Sequence, residues 1–228
     1  MTEAEWLACD DPRAMLTHVR ESTCDRRLRY LMVTPVLRVI QRLGGKHSQH
    51  HIKLLEQYAA GELSRTELTG QWGDHRKRCN AFDVFGFPWG DYPSRTLFDD
   101  TSEAALWFLR RFLPEEIILH GDDATWHAAD ASMGGTSARR ALNILAGDIR
   151  DIFGNPFRPV AFSPAWRTET TVALASGIYA ERAFDRMPIL ADALEEAGCD
   201  HPDVLAHCCG PGPHVRGCWV VDGVLGKS

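Results

Sequence analysis

The sequence predicts an all-α protein, a helical bundle with a C-terminal helical subdomain and little or no β structure. Three observations carry this expectation. Apolar residues recur at three- and four-residue spacing along most of the chain. Capping residues and glycine or proline stops bracket those runs. Almost nothing alternates with period two, apart from short runs such as Cys218–Val221.

Taken in order, Thr2 and Glu5 have capping-box spacing, so a short first helix carries Trp6 and Leu7. Asp11 before Pro12 repeats the start signal, and Arg13 to Arg20 reads as a second helix that buries Met15, Leu16 and Val19. From Asp25 to Leu43 the apolar residues Leu28, Leu31, Met32, Val36, Val39 and Ile40 keep helical spacing until Gly44, with Pro35 as a kink. Ser48 to Ala60 continues through Ile52, Leu55 and Tyr58 and closes at Gly61, after which Ser64 and Glu67 form a second capping box.

The stretch from Phe82 to Pro93, FDVFGFPWGDYP, mixes aromatics with glycines and prolines and reads as an ordered loop. Its rings Phe85, Phe87, Trp89 and Tyr92 are a candidate ligand or partner surface. Ser102 caps a helix with Leu106, Phe108, Leu109 and Phe112, limited by Pro114. The pair Gly134 and Gly135 marks the best internal boundary. Behind it a strong helix runs from Ser137 to Phe153 with Leu145, Ile149 and Ile152 on one face. A proline-stiffened connection follows, then helices over Thr168–Arg182, Arg186–Ala197, Pro202–Cys208 and Val215–Leu225, with Gly198 as a C-cap. Three regions result: a helical region over 1–70, a variable middle over 71–135, and the C-terminal subdomain over 136–228, together one compact unit.

At 228 residues and 44% hydrophobic content, the chain can bury an ordinary core. Its formal net charge of −6 argues against a dedicated nucleic-acid binder, which needs a basic face. The acidic start, MTEAEWLACDDP, does not resemble a signal peptide, no apolar run reaches membrane-spanning length, and the cysteines are scattered and odd in number. A cytoplasmic protein with reduced thiols and no membrane partner is therefore expected.

The segments MTEAEWLACDDPRAML, FGNPFRPV, IYAERAFDRMPILADALEEAGC and HVRGCWVVDGVLGK together resemble an uncharacterised planctomycete protein family. That family has a start of the MTEAEWLACxDP type and an end of the HVRGCWVVDxxLGK type. RMPILADALEEAGC is also loosely similar to a helix of the planctomycete repeat-companion domain. The likeness covers both ends and leaves the stretch from Trp72 to Gly135 aside. It implies a lineage and no activity. Members of the family carry a cysteine cluster in the first long helix, where this chain reads LMVTPV from Leu31 to Val36, so a metal site shared between the two ends would lack half its ligands here.

Reactive side chains concentrate in HCCGPGPHVRGC, from His207 to Cys218. If the last helix begins near His214, then His214 and Cys218 lie one turn apart on one face. His207 and Cys208 can then supply the remaining ligands of a tetrahedral zinc site across the GPGP turn. Against this, the cluster lacks a CxxC or HxxxH pair, and buried cysteine is more often a small apolar core residue. A structural turn is thus the sequence's preferred reading, with zinc on His207, Cys208, His214 and Cys218 its rival. A nucleophilic Cys218 beside His214 and Arg216, oriented by Asp222, is a third reading, although Asp222 reads more simply as a solvated carboxylate.

Other groups are weaker. His120, Asp122, Asp123, His127 and Asp130 offer metal-ligand chemistry, but paired aspartates before a helix are also what capping favours. His47, His50 and His51 read as surface histidines. The Gly134–Arg140 stretch lacks the strand and lysine of a nucleotide-binding loop. With no GxSxG, HExxH or dinucleotide turn present, the expected function is a non-catalytic interaction or adaptor module for an unknown protein partner, the alternatives being a zinc-supported helical module and a thiol-dependent enzyme.

Overall fold

The computed structural model describes residues 1–19, 26–31, 33–34, 37, 48–64, 66–68, 71 and 136–227. These residues form helices joined by turns, with no strand among them. The protein is all-α, as its periodicity predicts. No described helix is long and apolar enough to cross a membrane.

The chain divides into two compact units that are not consecutive in sequence: Met1–Arg27 with Asn143–Ser228 forms one, and Leu28–Leu142 the other. In the second unit, Tyr30, Leu31, Val33 and Leu37 are buried, and the helix Ser48–Ala60 contributes Ile52, Leu54, Leu55, Tyr58 and Ala59. Gly61 ends that helix with φ +83°, its N–H bonded to the Tyr58 carbonyl, because a residue without Cβ adopts the left-handed turn without strain. The Ser64 and Glu67 capping box forms, with both reciprocal hydrogen bonds present. The aromatic loop with Phe85, Phe87, Trp89 and Tyr92, and the His120–Asp130 group, lie outside the described residues.

The first unit holds the chemistry. Its helices are α1 (Glu3–Ala8), α2 (Pro12–Val19), the Asn143–Phe153 part of α3 (Thr136–Phe153), α4 (Glu169–Glu181), α5 (Met187–Glu196), α6 (Pro202–Cys209) and α7 (Trp219–Leu225). Thr2 and Glu5 complete the first capping box, and Thr168 accepts from the Thr171 N–H to start α4. Arg182 ends α4 in the left-handed region at φ 56°, where no glycine stands. Pro202 occupies the first turn of α6, where its missing N–H leaves nothing unsatisfied.

Helices α4 to α7 share one apolar core. Ala175 and Ile178 from α4, Met187, Leu190 and Leu194 from α5, Val204 and Cys208 from α6, and Val220, Val221 and Val224 from α7 are all essentially inaccessible to solvent. The N-terminal helices join the same unit through α3 and the segment after it. Arg150 donates to the carbonyls of Trp6 and Cys9, Asn155 Nδ2 donates to Glu3 at 2.7 Å, and His18 stacks on Phe157 with ring centres 4.8 Å apart.

Candidate metal centre

The end of α3 supplies the first side chain of the site. Its apolar stripe, Leu145, Ile149 and Ile152, enters the core and carries Asp148 and Asp151 down with it, so both carboxylates are buried. Facing them, the loop from Gly210 to Gly217 leaves α6 and returns to α7. Gly212 and Gly217 have φ of +77° and +94°, conformations that let so short a segment reverse. Pro213 rests on α3 at Gly147, where a β-carbon would stand 3.2 Å from the proline ring. This seats the loop over Asp151, one turn further along α3.

Four side chains converge there. The ligand atoms of Asp151, His207, His214 and Cys218 all lie within 4.8 Å of one another. His207 Nε2 is 3.0 Å from Asp151 Oδ1 and 3.2 Å from Cys218 Sγ, while His214 Nδ1 is 2.8 Å from the same Oδ1. The second oxygen of Asp151 accepts from the Val215 N–H at 2.8 Å, which fixes the carboxylate plane. The two imidazoles meet edge to face at 4.9 Å, and Trp219 covers His207 with ring centres 5.2 Å apart. Asp151 and Cys218 are closed to solvent, and His207 is the most accessible member at 19%.

Tetrahedral zinc sites hold N, O and S ligands about 2.0–2.3 Å from the ion, which puts the ligand atoms roughly 3.3–3.8 Å from one another. Separations of 2.8 to 4.8 Å bracket that range, so the residues fit a zinc ion with side-chain adjustments alone. Asp151 is the common acceptor, with His207, His214 and the Cys218 thiol all turned to its carboxylate. His214 turns Nδ1 to this point, while Nε2, on the other side of its ring, is buried with no hydrogen-bond partner among the described residues. A cation answers several lone pairs converging on one point.

Electrostatics within the group are uneven. Burial pushes the Asp151 carboxyl up, but hydrogen bonds from His207 and His214 and the charges of their rings outweigh it and hold it below the usual aspartate range. Burial, and then the Asp151 charge, pushes the Cys218 thiol well up, against the opposing pull of the Val220 and Val221 N–H groups. That direction is the opposite of what a nucleophilic cysteine needs, whereas a coordinated metal removes a thiol proton outright.

The sequence expectation and the structure share three residues, His207, His214 and Cys218, and differ on the fourth. Cys208 turns into the core with Leu190, Leu194 and Val204, and burial pushes its thiol up to about 12. Its place is taken by Asp151, from a helix whose sequence shows only an apolar stripe with acidic neighbours. The register also differs. The last helix begins at Trp219, with Cys218 as its N-cap, so His214 and Cys218 meet through a turn at Arg216 and Gly217 instead of across one helical turn. Gly217, at positive φ, is what prevents the helix from starting earlier. Asp222 is 1% exposed and not solvated; Arg26 closes on its carboxylate and donates also to the Tyr179 hydroxyl. The chain matches no family model, no curated protein and no solved structure.

Proposed function

We propose that the unit formed by Met1–Arg27 and Asn143–Ser228 is a zinc-supported helical module that serves as a non-catalytic scaffold for a protein partner. The observation that carries this reading is the convergence of Asp151, His207, His214 and Cys218 within 4.8 Å, from three separate segments of the chain. A bound ion on these four side chains ties the end of α3 to α6 and to the start of α7. Four protein ligands close a tetrahedral site and leave no position for substrate or a reactive water, which favours a structural over a catalytic role. The adaptor role follows from that closure and from the absence of recognisable catalytic motifs in the sequence.

Elemental analysis of protein purified without a histidine tag or chelator tests the reading. One zinc per chain is expected, lost in Cys218→Ala and His214→Ala and kept in Cys208→Ala. Metal-free protein that also fails to take up stoichiometric zinc or cobalt on titration would sink it.

A further inference from the structure

A pocket in the same unit adjoins the candidate metal centre through Trp219. The segment after α3, the start of α6 and the last helix line a partly open cavity of about 600 Å³, within the size range of small-ligand pockets. Its lining combines aromatic and cationic side chains. Phe153, Phe162 and Trp219 form the apolar wall, with Phe162 and Trp219 edge to face at 6.0 Å. Gly223 makes room for this wall, because a β-carbon there would stand 2.2 Å from the Phe162 ring. Trp219 also covers His207, so cavity and cluster share one side chain.

Charge across the cavity does not cancel. Of its carboxylates, Asp222 is taken by Arg26, and Asp203 faces Arg158, which also pairs with Glu3. The other cations are Arg27, Arg167 and Lys227, of which Arg27 and Lys227 also feel the Asp222 charge. Arg27 has no hydrogen bond or ion pair among the described residues. Arg167 uses Nε on the Val224 carbonyl, and its two terminal nitrogens are free among the described residues. Gly226 keeps room for that guanidinium, since a β-carbon there would stand 2.7 Å from one of its nitrogens. Lys227 holds its ammonium 3.6 Å above the centre of the Tyr179 ring, and burial pulls its pKa down. Two planar guanidinium forks lining a pocket together with aromatic rings suit a flat apolar body carrying a carboxylate, sulfonate or phosphate group.

We infer that this cavity binds a small aromatic anion, with Arg27 and Arg167 on the charged group and Phe162 and Trp219 on the ring. The inference does not depend on the metal.

Paired fluorescent probes test it on the full chain: anilinonaphthalene sulfonate, which has the ring and the charge, and N-phenylnaphthylamine, which has the ring alone. The sulfonate is expected to bind at one site per chain and quench Trp219, at least about tenfold more tightly than the neutral probe, since charge-assisted hydrogen bonds are lost with the charge. Arg27→Ala and Arg167→Ala are each expected to weaken the sulfonate by about tenfold and leave the neutral probe unchanged. Near-UV circular dichroism confirms that each variant is folded; Arg27→Ala breaks no described hydrogen bond and so keeps the test open if Arg167→Ala unfolds. Equal affinity for the two probes, no effect of Arg27→Ala on the sulfonate, or no binding at all overturns the assignment.

Discussion

His214 Nδ1 lies 2.8 Å from Asp151 Oδ1 across 63 positions of sequence, and the other oxygen of that carboxylate holds the neighbouring Val215 N–H. A single buried group thus anchors the loop that carries His214 even before any ion binds. Asp151→Asn keeps the shape and removes the charge, and the cost of breaking such a buried, hydrogen-bonded charge is about 3–5 kcal/mol. Zinc adds to wild-type stability by mass action, about 2.7 kcal/mol at a hundredfold excess over its dissociation constant. Urea unfolding with added zinc and with chelator should show a shifted midpoint in wild type and none in the variant. An equal zinc shift in both would remove Asp151 from the ligand set.

Two buried aspartates give stability opposite slopes against pH in the chelated protein. Asp151 is held below the usual aspartate range, burial being outweighed by the two histidines. Its contribution is therefore fully present above its unfolded pKa and lost as the pH falls below about 4. Asp222 is the reverse: burial raises it in spite of Arg26. The folded protein takes up that proton first, so this group's contribution grows as the pH falls toward about 4. Stability measured against pH should show the gap between wild type and Asp151→Asn narrowing below that point. The gap between wild type and Asp222→Asn should widen on the way down to it. Parallel curves would contradict both assignments.

These residues also show how far the sequence reaches. Local signals translate directly: the Thr2–Glu5 and Ser64–Glu67 capping boxes form, Ser48–Ala60 has the expected limits, and Gly198 takes a positive φ after α5. Their physics involves neighbours only a few positions apart. Asp151 is legible only in part. Its place beside Leu145, Ile149 and Ile152 already implies a carboxylate drawn into the core, and hence one needing a partner. Which partner depends on a loop more than fifty positions away, and spacing rules do not fold loops. The last helix starts late for a similar reason: a valine–tryptophan run looks helical from Val215 onward, but Gly217 turns the chain first.

Thiol reactivity separates a metal ligand from a nucleophile. Cys199, Cys208 and Cys218 are buried with thiols pushed up by burial, while Cys209 is exposed on the last turn of α6. Only the thiolate attacks an alkylating reagent. Brief iodoacetamide treatment at neutral pH, mapped by mass spectrometry, should label Cys209 well ahead of Cys199, Cys208 and Cys218, and zinc should slow Cys218 further. Cys218 labelling faster than Cys209 would instead favour the thiol-enzyme reading.

Two helical glycines should respond to the same substitution with opposite sign. Gly177 sits within α4 with nothing inside 4 Å of the position a β-carbon would take. Alanine there lowers the entropy of the unfolded chain at no packing cost and should stabilise by about 0.4–1 kcal/mol. Gly223 lies in α7 against the face of Phe162, where a methyl group would overlap the ring. The same helix preference applies, yet Phe162 must leave its edge-to-face contacts with Trp166 and Trp219. Overpacking typically costs about 1–3 kcal/mol, enough to reverse the sign. Thermal unfolding should place Gly177→Ala above wild type and Gly223→Ala below it, with a changed near-UV tryptophan signal in the second alone. A stabilised Gly223→Ala with an unaltered signal would mean that Phe162 does not pack on this helix.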